Sequence, residues 1–264
     1  MTRNSWVSVF QTVILLTLCA FPANALTVRV LVTPPHPVFI VGVSKPSTLY
    51  FDRGGRAELM PGTYYKLSPE QSGTLTPSKG GFTLIDNRWY AGQFRLEHQG
   101  KNLAPVEWVE LETYLRGVVP RGMPSRWSLE ALKAQAISAR TYAVTSLIQP
   151  KWRGQPYDLV SDTRDQVYGG MGQVIQGRSI WLAHPQTDRA IAQTKGIIIG
   201  NGKVRGEYRA HGILGWKKRG KYDLPINRKG ILSQTVSQQM AQKGWNYRQI
   251  LWFFYQSPLG ILET

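Results

Sequence analysis

Glu107, Glu110, Glu112, Glu130, Asp162 and Asp165 flank the segment 121–127, and each brings a carboxylate to that neighbourhood. A carboxylic acid whose pKa is raised by its surroundings can protonate a leaving oxygen, a step that supplies about 10²- to 10⁴-fold in rate. Glu112 is the strongest candidate because it lies in the helix that leads into the segment. Its alternative role is support of that helix's first turn, where negative charge is favoured by about 0.3–1 kcal/mol.

Two cations follow at helical spacing. Lys133 and Arg140 are seven residues apart and share one face of a helix. A guanidinium there could hold a carboxylate or another hydrogen-bond acceptor, or the face could be solvated and ion-paired. Gln135 could hydrogen-bond a sugar or meet solvent. Tyr114, Tyr142 and Tyr168 read as packed residues or as stacking platforms. His36, His98, His184 and His211 show neither metal spacing nor a partner acid, and Cys19 is the only cysteine. Thiolate chemistry and disulfides are therefore excluded once residues 1–25 are removed.

Those first residues have the layout of an export signal. Arg3 precedes an apolar run over 7–20, which ends in the small-residue triplet Ala23, Asn24, Ala25. The run is shorter than the roughly 20 apolar residues of a membrane span, and no later stretch matches one. The expected division is a signal peptide over 1–25, a β-rich module over 26–104 and a second domain over 105–264. The chain carries 32 basic against 16 acidic side chains, +16 at pH 7, and removal of Arg3 changes this by one. That balance suits an anionic partner without choosing among wall polymers, nucleic acid and membrane surfaces.

The elements that would position these side chains follow from periodicity. Short strands are expected over 27–32, 39–43, 82–85 and 93–96, with Gly54, Gly55, Pro61, Gly62, Gly80 and Gly81 as turn punctuation. From Glu107 the pattern becomes helical, with Leu111, Tyr114, Leu115 and Val118 on one face and Pro120 as the stop. Ser128 is a candidate N-cap for a helix reaching about residue 146, with Leu132, Ala136, Ala139 and Ala143 as its apolar stripe. Beyond Pro150 strands are expected over 157–160, 166–168 and 190–194, then a hairpin over 196–204 around Asn201 and Gly202, and a final helix over 233–255. This mixed order without regular βα alternation predicts an α+β fold.

The segment WVELETYLRGVVPRGMPSRWSLEALKAQAISARTYAV, residues 108–144, resembles the SpoIID/LytB family. YDLVSDTRDQVYGG at 157–170, AQTKGIIIGNGKVRGEY at 192–208 and SQTVSQQMAQKGWNYRQILWFFY at 233–255 are similar to further family blocks in the same order. The resemblance implies a SpoIID/LytB-like core with paired helices and a role in peptidoglycan remodelling. Some members are lytic transglycosylases that use one glutamate as acid and base, and others enhance a partner amidase. It places Arg140, Gln135, Lys133 and Tyr168 as glycan-binding candidates. It also implies no cofactor.

Three departures qualify that expectation. The family glutamate lies in a pattern like VVPxEMP, whereas this chain reads VVPRGMP, so Gly122 stands in its place and supplies no proton. The stretch 210–230 is compressed into a basic, loop-like segment carrying Lys217, Lys218, Arg219, Lys221, Arg228 and Lys229 against Asp223, with Trp216 and Tyr222 among them. Relatives that could bind zinc carry cysteine and histidine near QVY, where this chain has Arg164 and Asp165, so no metal is expected. The resulting expectation is an exported binder of peptidoglycan glycan strands that does not cut them and serves a cell-wall amidase. The alternatives are a lytic transglycosylase with a relocated carboxylate, Glu112 first, and an exported basic nucleic-acid-binding protein.

Overall fold

The computed structural model describes residues 25–200, 206–209, 213–219, 222–227 and 230–262. The expected signal therefore lies outside the described residues, apart from Ala25. The fold is α+β with a β-rich N-terminal region.

Two antiparallel-rich sheets build that region. The seven-stranded sheet runs in the order Leu159–Val160, Thr27–Leu31, Asn102–Glu110, Gln93–Gln99, Gly73–Pro77, Ser47–Phe51, Arg56–Leu59. The six-stranded sheet runs Arg178–Trp181, Gly172–Ile175, Arg88–Tyr90, Thr83–Ile85, Phe39–Val43, Tyr65–Leu67. Alternation explains the pairing: Val28 and Val30 are buried while Thr27 and Arg29 are half-exposed. Inward residues of both sheets, among them Val28, Leu75 and Phe94 from one and Phe39, Val41 and Tyr90 from the other, join one apolar core. Full burial of such a side chain contributes about 1.5–3 kcal/mol.

The strand Asn102–Glu110 is buried on both faces, because Ala104 and Val106 turn away from the main core into a second cluster with Leu31 and Val160. Sequence periodicity places the start of a helix at Glu107, but the strand continues through Glu110. Pairing with Thr27–Leu31 on one side and Gln93–Gln99 on the other explains this. The strand also runs across positions 104 and 105, and the core beneath it includes residues from both sides of that point.

Helix α1, Leu111–Gly122, begins where the Glu110 carboxylate accepts from the Thr113 N–H at 2.9 Å. Pro120 does not stop it. The missing proline N–H removes one bond from the last turn, and Met123 N still donates to Val119 O at 3.0 Å. Helix α2, Leu129–Ile148, is buried nearly all round, and its alanines let neighbours approach closely. Helix α1, helices α3 (Pro185–Gln193), α4 (Gln234–Gln242) and α5 (Tyr247–Tyr255), and the strand Ile197–Ile199 all pack on α2.

Several local expectations change. Residues 190–193 close α3 rather than forming a strand, because Pro185 starts a helix whose N-cap His184 accepts from Gln186 N through Nδ1 at 3.2 Å. Residues 166–168 form no strand, since Gln166 and Tyr168 are drawn into the core from a loop. Ile197–Ile199 pairs with Leu259–Ile261; the rest of the expected hairpin over 196–204, including Asn201 and Gly202, lies outside the described residues. The last helical stretch is two helices, broken at Gly244 with φ +87°. The basic segment is a strand pair, Ile213–Arg219 with Tyr222–Asn227, in which Lys217, Lys218 and Arg219 lie opposite Leu224, Asp223 and Tyr222. Lys221, Arg228 and Lys229 lie outside the described residues.

Candidate functional site

Gly122 ends α1 against α2 and α4. A Cβ at this position would lie 2.8 Å from Gln234 Nε2 and 2.9 Å from Gln135 Nε2. Both glutamines are buried, and Gln234 Nε2 donates to Gln135 Oε1 at 3.2 Å. Gln135 Nε2 has no acceptor. Leaving such a donor unpaired costs about 1–3 kcal/mol. Two amide donors thus converge where a side chain at 122 would project. Gly122 lies within a helix and is not among the residues with positive φ, so the backbone does not require glycine there.

Arg140 is wholly buried and fully engaged. Its Nε donates to Glu112 Oε1 at 2.7 Å and its Nη2 to Glu112 Oε2 at 2.7 Å, while Nη1 reaches Ile197 O at 3.1 Å. The forked pair ties α2 to α1 and to the strand Ile197–Ile199. Glu112 and Gly122 are ten residues apart on α1, which at 1.5 Å per residue is about 15 Å along the axis. That separation is too long for the Glu112 carboxylate to occupy the space beside Gly122.

The other carboxylates are also committed. Glu130 accepts from Lys133 Nζ at 2.7 Å and from Tyr247 N at 2.8 Å. Asp165 accepts from the Tyr142 hydroxyl at 2.9 Å, Trp152 Nε1 at 2.6 Å and Val160 N at 2.8 Å, pinning its loop to the edge of the seven-stranded sheet. Asp162 is held by Arg164 at 2.7 Å, and the guanidinium keeps its carboxyl below the ordinary aspartate range. Lys133, paired with Glu130, also lies 5.6 Å from the centre of the Tyr247 ring. Tyr168 is buried against Tyr114 and Tyr90, with ring centres 4.7 and 5.8 Å away. The structure therefore brings Gln135 to Gly122, and it holds Arg140, Lys133 and Tyr168 in other contacts.

Sequence reasoning did not single out Glu107 for its environment. Its carboxyl is inaccessible to solvent, and burial raises its pKa to about 7 despite the Gly92 N–H donating to Oε1 at 2.7 Å. The Tyr168 hydroxyl lies near the same carboxyl and favours its charged form, but makes no hydrogen bond of standard geometry with it. The signal was present: one glutamate in the run Leu103–Val109, buried but for Trp108. Gln234 lies in the SQT block, where nothing in the local pattern marks it as a site residue.

Two cavities open near these elements. One of about 330 Å³ is lined by Tyr142, Lys151, Arg164, Asp165, Glu207 and Tyr208. The other, of about 440 Å³, lies between α1, the loop 76–82 and Trp181. Among the described residues no three or more His, Cys, Asp or Glu side chains gather to hold a metal, and no helix is long and apolar enough to cross a membrane.

Residues 99–200, which include α1, α2 and the loop bearing Asp165, match the family model described as SpoIID, stage II sporulation protein. Over that stretch the chain is similar to SpoIID-type proteins. Over 86 residues it is 41% identical to the amidase enhancer of Bacillus subtilis, a match covering 32% of this chain and 10% of that protein. It is 34% identical over 130 residues to the stage II sporulation protein D of the same organism, covering 48% and 36%. An uncharacterized protein of Brachyspira hyodysenteriae is 33% identical over 129 residues, covering 49% and 34%. The chain thus spans only a minor part of the length of these relatives. The two glutamines face Gly122, the position at which the resemblance leads one to expect a glutamate.

Proposed function

We propose that this SpoIID-type protein is exported, binds peptidoglycan glycan strands in the periplasm or wall, and leaves them uncut. The observation that carries this reading is the position of Gly122, which has no side chain and whose nearest neighbours are two glutamine amides. Cleavage of a glycosidic bond needs a proton for the leaving oxygen, and glycine has none to give. The +16 charge suits a polymer with carboxylates, and the arrangement of Arg3, the apolar run and Ala25 supports export. The proposed service is to position or stimulate a cell-wall amidase, a role suggested by the name of the Bacillus subtilis relative.

Mixing the purified protein with isolated sacculi tests this. The expected result is co-pelleting with no release of anhydro-sugar products. Release of those products would overturn the uncut half. Failure to pellet, combined with salt-sensitive binding to DNA, would replace the whole reading with nucleic-acid binding.

A further inference from the structure

Gln135 and Arg140 are buried and Lys133 is ion-paired, so these α2 residues present little surface on which a sugar could rest, and Tyr168 in its loop is buried as well. The cavity of about 440 Å³ on the other side of α1 presents one. Its volume is that of a small-ligand site, which typically spans about 300–1,000 Å³. Phe82, Met171 and Trp181 supply apolar walls; Thr76, Gln93 and Thr113 bring hydroxyl and amide groups; Lys79 and Arg116 are its cations. No aspartate or glutamate lines it.

Trp181 is the platform. It remains 48% exposed although its ring is held in place by neighbours. Phe82 lies 5.0 Å from it and Trp89 6.4 Å, the latter nearly parallel at 26°. Trp89 is itself fixed by its Nε1 donating to Ser179 Oγ at 3.0 Å. A rigid, half-wet indole beside hydroxyl and amide groups suits a pyranose, which has an apolar C–H face and a polar edge. Arg116 is half-exposed and makes a long ion pair with Asp188 at 3.9 Å, with no hydrogen bond between them. Its guanidinium can therefore take a ligand carboxylate in forked geometry.

We propose that this cavity binds a sugar ring bearing a carboxylate, with the ring on Trp181 and the acid at Arg116. The identity of the sugar rests on the peptidoglycan reading above; the chemistry of the site does not. Arg116 and Gly122 are six residues apart on α1, a rotation of about 240° and a rise of about 9 Å, so the cavity lies on a different side of the helix from the vacated position.

Calorimetric titration of the full chain with two disaccharides tests the proposal: N-acetylglucosaminyl-N-acetylmuramic acid, which carries a carboxylate, and di-N-acetylchitobiose, which does not. The acidic disaccharide is expected to bind about tenfold or more tighter, the contribution of one charge-assisted pair. Trp181→Ala should abolish binding of both. Arg116→Gln should erase the difference between them. Thermal melts check that both variants fold. No binding by the wild type, or unchanged binding in a folded Trp181→Ala variant, overturns the proposal, as does a single-stranded oligonucleotide that binds through Trp181 where the sugars do not. Sacculus pelleting separates the two readings: a Trp181→Ala variant that pellets like the wild type sinks this site and leaves the proposed function standing. Disaccharide binding by a wild type that fails to pellet does the reverse.

Discussion

Gln234 Nε2 donates to Gln135 Oε1 at 3.2 Å, and the two amides meet over Gly122 at the end of α1. The position that the SpoIID motif gives to a glutamate is thus backed by donors from α2 and α4, one of them lacking any acceptor. A side chain introduced there would meet both amide nitrogens at under 3.0 Å, so the two buried glutamines must shift before they can donate to its carboxylate. The proposed absence of an acid at Gly122 is testable by introducing one.

The pair between Arg140 and Glu112 should behave as structure. Its guanidinium is inaccessible and its carboxylate largely so, and removing one partner of such a pair leaves a buried charge uncompensated. Glu112→Gln or Arg140→Met is expected to lower stability by about 3–5 kcal/mol. Chemical denaturation monitored by circular dichroism checks this, and a loss below about 1 kcal/mol would show that water reaches the pair.

Glu107 should make stability fall with rising pH. Its folded pKa, near 7, is above its ordinary 4.5, because burial disfavours the charged form. The folded state therefore holds a proton that the unfolded state releases. This contribution is fully present below about pH 4.5 and is lost as pH rises through 7, at no more than about 1.4 kcal/mol per pH unit. Glu107→Gln keeps an acceptor for the Gly92 N–H and should flatten the profile. Melting curves between pH 4.5 and 7.5 read the difference, and identical slopes in both proteins would contradict it.

Gly117 should not tolerate a methyl group. A Cβ there would come within 2.4 Å of the Tyr168 ring and 2.6 Å of Gly170 O, and the second of these is backbone that cannot simply rotate away. Gly117→Ala is expected to destabilise by about 1–3 kcal/mol despite alanine's better helix propensity. A gain in melting temperature would mean that the loop bearing Tyr168 yields freely.

Much of the architecture was legible in local pattern. Val28 and Val30 announce their strand by alternation, and Leu111, Tyr114, Leu115 and Val118 announce the buried face of α1. What escaped depends on partners distant in sequence. Glu107 reads as helical by periodicity, but two flanking strands hold it in the sheet. Residues 190–193 read as a strand by composition, while Pro185 and the packing of α3 on α2 make them helical. At the site, the glycine at 122 is plain in the sequence, and the glutamines packed beside it are not, because Gln135 and Gln234 are 99 residues apart. The burial of Arg140 was equally hidden, since a helix rich in alanine gives no sign that every face is covered.

The most direct measurement compares anhydro-sugar release from sacculi by the wild type and by Gly122→Glu, with Gly122→Ala as the control lacking an acid. The account predicts no release by the wild type or the alanine variant, and release at least about 10²-fold above background by Gly122→Glu. Release by the wild type, or a folded Gly122→Glu protein as silent as the alanine control, would contradict it.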